Sequence, residues 1–283
     1  MPVVYLNGRF IPAEEAKVSV MDRGYLFGDG IYEVIPVYRG KAFMLEGHLA
    51  RLQRSLDAIK LSNPLDNVSW AELIANLVDQ NGGGDQSVYL QITRGTAAQR
   101  DHIFPQAVLP GIFMMSNPLK PVPADWHNKG INCITVDDIR WQRCDIKAIA
   151  LLANCLMKQR AQEAGAQEAL LLRDGALTEG AASNAYIVIH GEIITAPSGP
   201  QILSGVTRDL VLALAEKAGV NIQQRFASDS ELRAADEVWI SSSTKELVPV
   251  TMLDGKPVGN GQPGPFWLDL HQRFQQYKSE VLM

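Results

Sequence analysis

The chain has 283 residues, 46% of them hydrophobic and 20% charged, and a formal net charge of −5 from 26 basic and 31 acidic residues. That is apolar material enough for one large domain or two modest ones. Neither sign of charge forms a long block, which argues against a nucleic-acid or membrane-surface binder and for small-molecule partners.

Cys133, Cys144 and Cys155 make no CxxC pair and no zinc spacing, which suits a reducing compartment and implies no metal. The N-terminus has no basic region ahead of an apolar core, and the most apolar stretch, 148–157, is too short to span a bilayer. A cytoplasmic chain is expected.

Strands are expected over 3–6 and 9–11, joined by Asn7-Gly8, and over 31–38 and 42–45, joined by Arg39-Gly40. From 46 to 60 the period changes: Leu49, Leu52, Leu56 and Ile59 recur three or four apart, the apolar stripe of a helix. A second helix over 70–80 ends at Gly82-Gly83-Gly84. Strands over 88–93 and 111–116 flank a polar loop at 95–105. Pro118, Pro121 and Pro123 then resist helix and central strand alike.

The interdomain linker is placed at 118–130, between a smaller N-terminal α/β domain (1–117) and a larger C-terminal one (131–283). In the latter, strands over 131–136, 168–172, 185–189 and 237–241 alternate with helices over 148–164, 207–218 and 265–278. Gly165 and Gly219 sit where glycines close helices. Hairpins mixed with helices indicate an α+β or mixed α/β fold, not a doubly wound sheet.

Lys147 and Glu179 carry the chemistry. Lys147 precedes Ala148-Ile-Ala-Leu-Leu-Ala153, and a lysine against so apolar a run is a desolvated nucleophile rather than a surface cation. Glu179 is followed by Gly180, Ala181 and Ala182, whose backbone can lie close to a flat ligand, and by the short hydrogen-bonding groups of Ser183 and Asn184. Alone, it would read as an exposed acid after the Arg173-Asp174-Gly175 turn. An amine and an acid are the groups that pyridoxal phosphate chemistry most needs from a protein.

A phosphate has candidate addresses. Ser204-Gly205-Val206-Thr207 opens a helix, where backbone N–H groups and the positive dipole end meet, although a plain N-cap would look the same. Ser241-Ser242-Ser243-Thr244 offers hydroxyls after a strand, or an ordinary polar turn. Arg51, beside the stripe of the first helix, offers a guanidinium fork.

Read in order, the motifs resemble those of the fold-type IV (class IV) pyridoxal-phosphate aminotransferases, most of all their D-amino-acid branch. They are Asp22-Arg-Gly-Tyr-Leu-Phe-Gly-Asp-Gly-Ile-Tyr-Glu33, His48-Leu-Ala-Arg51-Leu, Thr93-Arg-Gly, Arg140-Trp-Gln-Arg-Cys-Asp-Ile-Lys147, Thr178-Glu-Gly-Ala-Ala-Ser-Asn184, Ser204-Gly-Val-Thr-Arg-Asp209 and Ser241-Ser-Ser-Thr-Lys-Glu246. The resemblance implies a two-domain homodimer with pyridoxal 5'-phosphate between the domains. It further implies that Lys147 forms the Schiff base, that Glu179 pairs with the pyridine nitrogen, and that Arg51, Val206, Thr207 and Ser243 hold the phosphate, with Thr244 assisting.

Tyr32 and Arg100-Asp101-His102 match the substrate-carboxylate trap of the D-amino-acid branch, whose loop the resemblance brings from the neighbouring subunit. An arginine, a histidine and a phenol can grip an α-carboxylate by charge and hydrogen bonds. On composition alone, Arg100 and His102 are a solvated loop pair and Tyr32 is a strand residue. The implied reaction is ping-pong transamination of D-amino acids such as D-alanine with 2-oxoglutarate or another 2-oxo acid.

An L-branched-chain aminotransferase, an R-amine transaminase and a 4-amino-4-deoxychorismate lyase could use the same lysine and acid, and a silent binder of a phosphorylated ligand would use neither. One departure from the pattern is Ala181-Ala182 ahead of Ser183, where hydroxyls would reach the cofactor ring. It bears on cofactor retention or rate, not on reaction class. His190 and His271 lie in no motif and are expected at the surface.

Overall fold

Two units make up the computed structural model, which describes residues 2–283. The first holds the residues up to Lys120 together with Ile146–Leu151 and Leu282; the second holds Pro121–Asp145, Leu152–Val281 and Met283.

In the first unit the elements are β1 (Val3–Leu6), β2 (Arg9–Pro12), α1 (Arg23–Phe27), β3 (Gly30–Tyr38), β4 (Lys41–Ala42), α2 (Leu45–Ala58), α3 (Asn67–Gln80), β5 (Gln86–Thr93) and β6 (Gly111–Pro118). The strands pair antiparallel in the order β2-β1-β6-β5-β3-β4. Asn7-Gly8 closes the first hairpin with φ of 47° and 94°, the left-handed pair that a two-residue turn requires.

Period-two alternation sends Ile31, Ile35 and Val37 of β3 and Val88, Leu90 and Ile92 of β5 to one face, under Leu49, Leu52 and Leu56 of α2 and Trp70, Ile74 and Leu77 of α3. Each such side chain contributes roughly 1.5–3 kcal/mol by leaving water. The other face keeps Tyr32, Tyr89 and Phe113 half-buried. Tyr32 and Tyr89 stack with ring centroids 5.7 Å apart.

In the second unit follow α4 (Ala124–Lys129), β7 (Ile131–Asp137), α5 (Leu152–Glu163), β8 (Glu168–Arg173), β9 (Ala176–Gly180), β10 (Asn184–Ile189), β11 (Glu192–Thr195), α6 (Val206–Lys217), β12 (Ile222–Gln224), β13 (Ala227–Ser228), α7 (Asp229–Ala234), β14 (Glu237–Ser242), β15 (Glu246–Leu253), β16 (Lys256–Pro257) and α8 (Pro265–Leu282). The sheet runs β12-β11-β10-β14-β15-β7-β8-β9-β13, with β16 on β15. Its core gathers Ile187, Val238, Ile240, Val248 and Val250, and a second cluster joins Met157 and Ala161 of α5 to Ala169, Leu171 and Ala181. Among the described residues no helix is long and apolar enough to cross a membrane.

The structure differs from the sequence reading at several places. The expected helix over 148–164 begins only at Leu152, because 147–149 runs extended along β3: Ala148 bridges Ile31, and the Ile149 N–H donates to the Gly30 carbonyl at 3.1 Å. The expected strand over 42–45 shrinks to β4, since Leu45 already opens α2. Within 118–130 lies α4, tied to β15 by the Thr251 hydroxyl donating to the Lys129 carbonyl at 2.7 Å. His271 is half-buried rather than fully exposed: it stacks on Trp267, with ring centroids 5.0 Å apart, and abuts His127 at 4.6 Å.

Candidate active site

In the first unit, β3 and α2 carry the polar groups. Glu33 shares the buried face of β3 with Ile31 and Ile35, and α2 presents His48, Arg51 and Ser55 to that face at helical spacing. Arg51 Nε and Nη2 donate to the two Glu33 oxygens, each at 2.8 Å, and His48 Nδ1 lies 2.8 Å from Oε2. Burial pushes the Glu33 carboxyl up, but the Arg51 charge and the hydrogen bonds from Arg51 and His48 outweigh it and hold it well below the usual carboxylate range. Burial also keeps His48 below the usual histidine value, against the pull of Glu33. The acid thus fixes the orientation of the Arg51 guanidinium.

The same elements hold Lys147. Its backbone N–H donates to Ser55 Oγ at 3.3 Å, and its carbonyl accepts from the Tyr32 N–H at 2.9 Å. Its half-buried amine stands 4.2 Å from the centroid of the Tyr32 ring, a cation over a π face. Gly30 leaves room for β5 and for Ile149 beside it. A Cβ there would meet the Ile92 carbonyl at 2.6 Å and Ile149 Cδ1 at 3.0 Å.

Arg100 and His102 are exposed and gather on Phe27, the guanidinium 4.8 Å and the imidazole 5.3 Å from the ring centroid. Their loop is anchored from beneath. Buried Arg23 donates to the carbonyls of Asp101 and His102, and its Nε donates to Asp29 Oδ2 at 2.8 Å. Arg94 takes the same carboxylate at 2.9 and 3.1 Å and lays its guanidinium 3.6 Å from the centre of the Phe104 ring. Burial raises Asp29, but its hydrogen bonds with Arg94 and Arg23 and their charges bring it below the ordinary value. The polar loop is therefore pinned at its backbone, while Arg100 and His102 stay exposed.

In the second unit, β9 delivers Glu179 into a buried ring of donors. Arg140 Nη1 donates to Oε1, Asn184 Nδ2 to Oε2 at 3.0 Å, and the Leu203 N–H lies 3.1 and 3.2 Å from the two oxygens. Burial pushes the Glu179 carboxyl up to about 7, against the charge and hydrogen bond of Arg140.

Asn184 also donates to the Leu203 carbonyl at 2.8 Å, which links the acid to the start of α6. A Cβ at Gly205 would lie 2.0 Å from Asn184 Oδ1, so only glycine fits between them. Gly205 is the N-cap of α6 and offers no side-chain cap, so the first N–H groups, those of Val206 and Thr207, remain for an anion. Ser243 and Thr244 lie half-buried in the turn between β14 and β15.

The first unit therefore brings Lys147 to Tyr32 and holds Arg51, while Arg100 and His102 form a separate group on Phe27. The second joins Glu179 to the Val206–Thr207 terminus through Asn184. Sequence reasoning missed Glu33, Ser55 and Arg140 as functional groups. Two signals were available: polar residues inside an apolar stripe (His48, Arg51, Ser55), and an arginine opening the run that ends in Lys147.

A family model for amino-transferase class IV matches residues 30–253. The chain is 42% identical to a D-alanine aminotransferase of Bacillus licheniformis over 96% of its own length and 95% of that protein. With a D-alanine aminotransferase of Staphylococcus aureus (strain MW2) the identity is 41%, over 98% of each. Among solved structures, a branched-chain amino acid aminotransferase of T.th. with pyridoxamine 5'-phosphate superposes with a TM-score of 0.90 at 28% identity, over 97% of this chain and 93% of that one. The Escherichia coli branched-chain enzyme gives 0.89 at 25%, with the same coverage.

Proposed function

The chain belongs to the amino-transferase class IV family, and from that premise we propose that it moves the amino group of D-amino acids, D-alanine among them, to a 2-oxo acid such as 2-oxoglutarate. The observation that carries this reading is the 41–42% identity to D-alanine aminotransferases over nearly the whole chain.

Class IV aminotransferases use pyridoxal 5'-phosphate, and the donor set fits it. An amine, a buried acid ringed by donors, an uncapped helix N-terminus and an arginine oriented by its own acid correspond to the aldehyde, ring nitrogen and phosphate of that molecule. When bound, it supplies an aldehyde that joins amines and a ring that draws electrons from the substrate α-carbon.

The residues then divide the work. Lys147 Nζ would hold the cofactor and, as a free amine, would take the proton from the substrate α-carbon. Glu179 keeps a proton on the ring nitrogen. Arg51, Val206, Thr207 and Ser243, with Thr244 assisting, hold the phosphate by charge and hydrogen bonds. Tyr32, Arg100 and His102 hold the substrate carboxylate. Release of the first oxo acid before the second binds gives ping-pong kinetics.

A homodimer belongs to the same proposal, with the Arg100–His102 loop serving the partner subunit. Val18, Val20, Tyr25, Ile103 and Leu109 are each more than half exposed in the first unit, an apolar set that a second copy would cover. Free Cys133, Cys144 and Cys155 suit the cytoplasm.

The branched-chain enzymes among the solved structures favour a second reading, an L-branched-chain aminotransferase, at the lower identity of 25–28%. Assays of D-alanine, L-leucine and R-phenylethylamine, each with 2-oxoglutarate, separate the readings. D-alanine is the expected donor, and a preference for L-leucine would overturn the D-specific reading.

A further inference from the structure

We infer that Asp138 is a positioning residue for the acid of the site: it fixes Arg140, and through Arg140 the placement of Glu179. Asp138 ends no element and touches none of the groups assigned to substrate or cofactor. It is nonetheless the most heavily engaged carboxylate of its neighbourhood, and its side chain is fully shielded from solvent.

Oδ1 accepts from the Arg140 backbone N–H at 3.1 Å and from Arg140 Nε at 2.9 Å. Oδ2 accepts from Arg140 Nη2 at 2.9 Å and from the Thr178 hydroxyl at 3.1 Å. Arg173 Nη2 makes an ion pair with Oδ2 at 2.9 Å. One edge of the Arg140 fork is thereby locked on Asp138, and the remaining nitrogen, Nη1, is delivered to Glu179 Oε1.

The spacing explains why a second acid is needed. Arg140 sits in the loop after β7, and an arginine bound to Glu179 by a single nitrogen could rotate about its long side chain. The Asp138 clamp, two residues away, removes that freedom. Asp138 is itself fixed by Thr178, the neighbour of Glu179 in β9, and by Arg173, which also donates to the Arg140 and Trp141 carbonyls at 3.3 and 3.2 Å. Arg140 and Arg173 thus face two acids, Asp138 and Glu179. Removing the Asp138 charge leaves two arginines facing one acid.

This inference rests on the reading of Glu179 as the partner of the cofactor ring nitrogen. The test loads pyridoxal phosphate into wild type, Asp138→Asn, Arg140→Gln and the double variant, then follows the visible absorbance against pH and the cofactor dissociation constant. Asp138→Asn should shift the spectral midpoint in the same direction as Arg140→Gln. It should also weaken cofactor binding on the order of tenfold, as when the partner of a metal-binding histidine is removed. The double variant should match Arg140→Gln alone, since both act through one contact.

A merely structural Asp138 would lower Tm and leave midpoint and affinity unmoved; that result, or additive effects in the double variant, overturns the inference. If Asp138→Asn does not fold, Asp138→Glu, which keeps the charge and displaces it, is titrated instead: a shifted midpoint supports the clamp and a wild-type midpoint overturns it. A wild-type chain that takes up no pyridoxal phosphate overturns the functional reading and the inference with it. A loaded wild type with unshifted variants overturns the inference alone.

Discussion

The Lys147 amine stands over the ring face of Tyr32, 4.2 Å from its centroid, while the Tyr32 N–H donates to the Lys147 carbonyl at 2.9 Å. One strand residue thus holds the nucleophile by backbone and by ring, and its hydroxyl is the group proposed to meet the substrate carboxylate. Tyr32→Phe keeps the ring and should leave cofactor loading unchanged while lowering kcat/KM for D-alanine by roughly 10- to 150-fold, the worth of one hydrogen bond to a charged group. Tyr32→Leu should lower both. Equal loading and equal kcat/KM in Tyr32→Phe would remove the phenol from the carboxylate trap.

Glu33 fixes Arg51, so Glu33→Gln leaves a guanidinium buried without its acid. A loss of about 3–5 kcal/mol in unfolding free energy is expected, with weaker retention of pyridoxal phosphate. Because Glu33 is held below its ordinary value of 4.5 in the folded chain, its contribution is fully present above pH 4.5 and is lost as pH falls through the lower folded value. Melting curves across that window should show stability falling with acid in wild type and a flatter dependence in Glu33→Gln.

Much of the first unit is legible in the sequence because its signals are local: Asn7-Gly8 for a hairpin, a three-and-four spacing for α2. Lys147 shows where locality ends. Its apolar run looks helical, yet Ala148 pairs with Ile31, more than a hundred residues earlier, and that contact keeps it extended. β15 was missed for a similar reason. It is buried on both faces, so it lacks alternation, and it carries Pro249 in a central strand. The proline is tolerated beside a register shift, where pairing with β7 breaks between Val250 and Met252. Glu179 was visible through its small neighbours, whereas Arg140 and Asn184 became partners only once β9, β10 and the loop after β7 converged.

Glu179 has the opposite sign of titration. Burial raises it to about 7, so its contribution to the stability of the cofactor-free protein is fully present below pH 4.5 and is lost as pH rises through about 7. The charged form is the one that holds a protonated ring nitrogen, so affinity for pyridoxal phosphate should rise with pH through that value. Equilibrium titrations at several pH values should show the step in wild type and none in Glu179→Gln. A step of unchanged size in the variant would assign it to another group.

Arg100 lies at the exposed tip of a loop whose backbone Arg23 anchors. Arg100→Ala should spare the fold and cost about 1.5–3 kcal/mol in transition-state binding of D-amino acids, roughly 10- to 150-fold in kcat/KM. Arg23→Ala, which releases the whole loop, should cost at least as much and also lower Tm. An unchanged substrate profile in Arg100→Ala would take it out of the trap.

The central claim is that Lys147 is the amine that carries the cofactor, and borohydride reduction of the pyridoxal-phosphate-loaded protein, followed by peptide mapping, tests it most directly. The reduced label is expected on Lys147, and none in Lys147→Ala. A label on another lysine, or one that persists in Lys147→Ala, would contradict it.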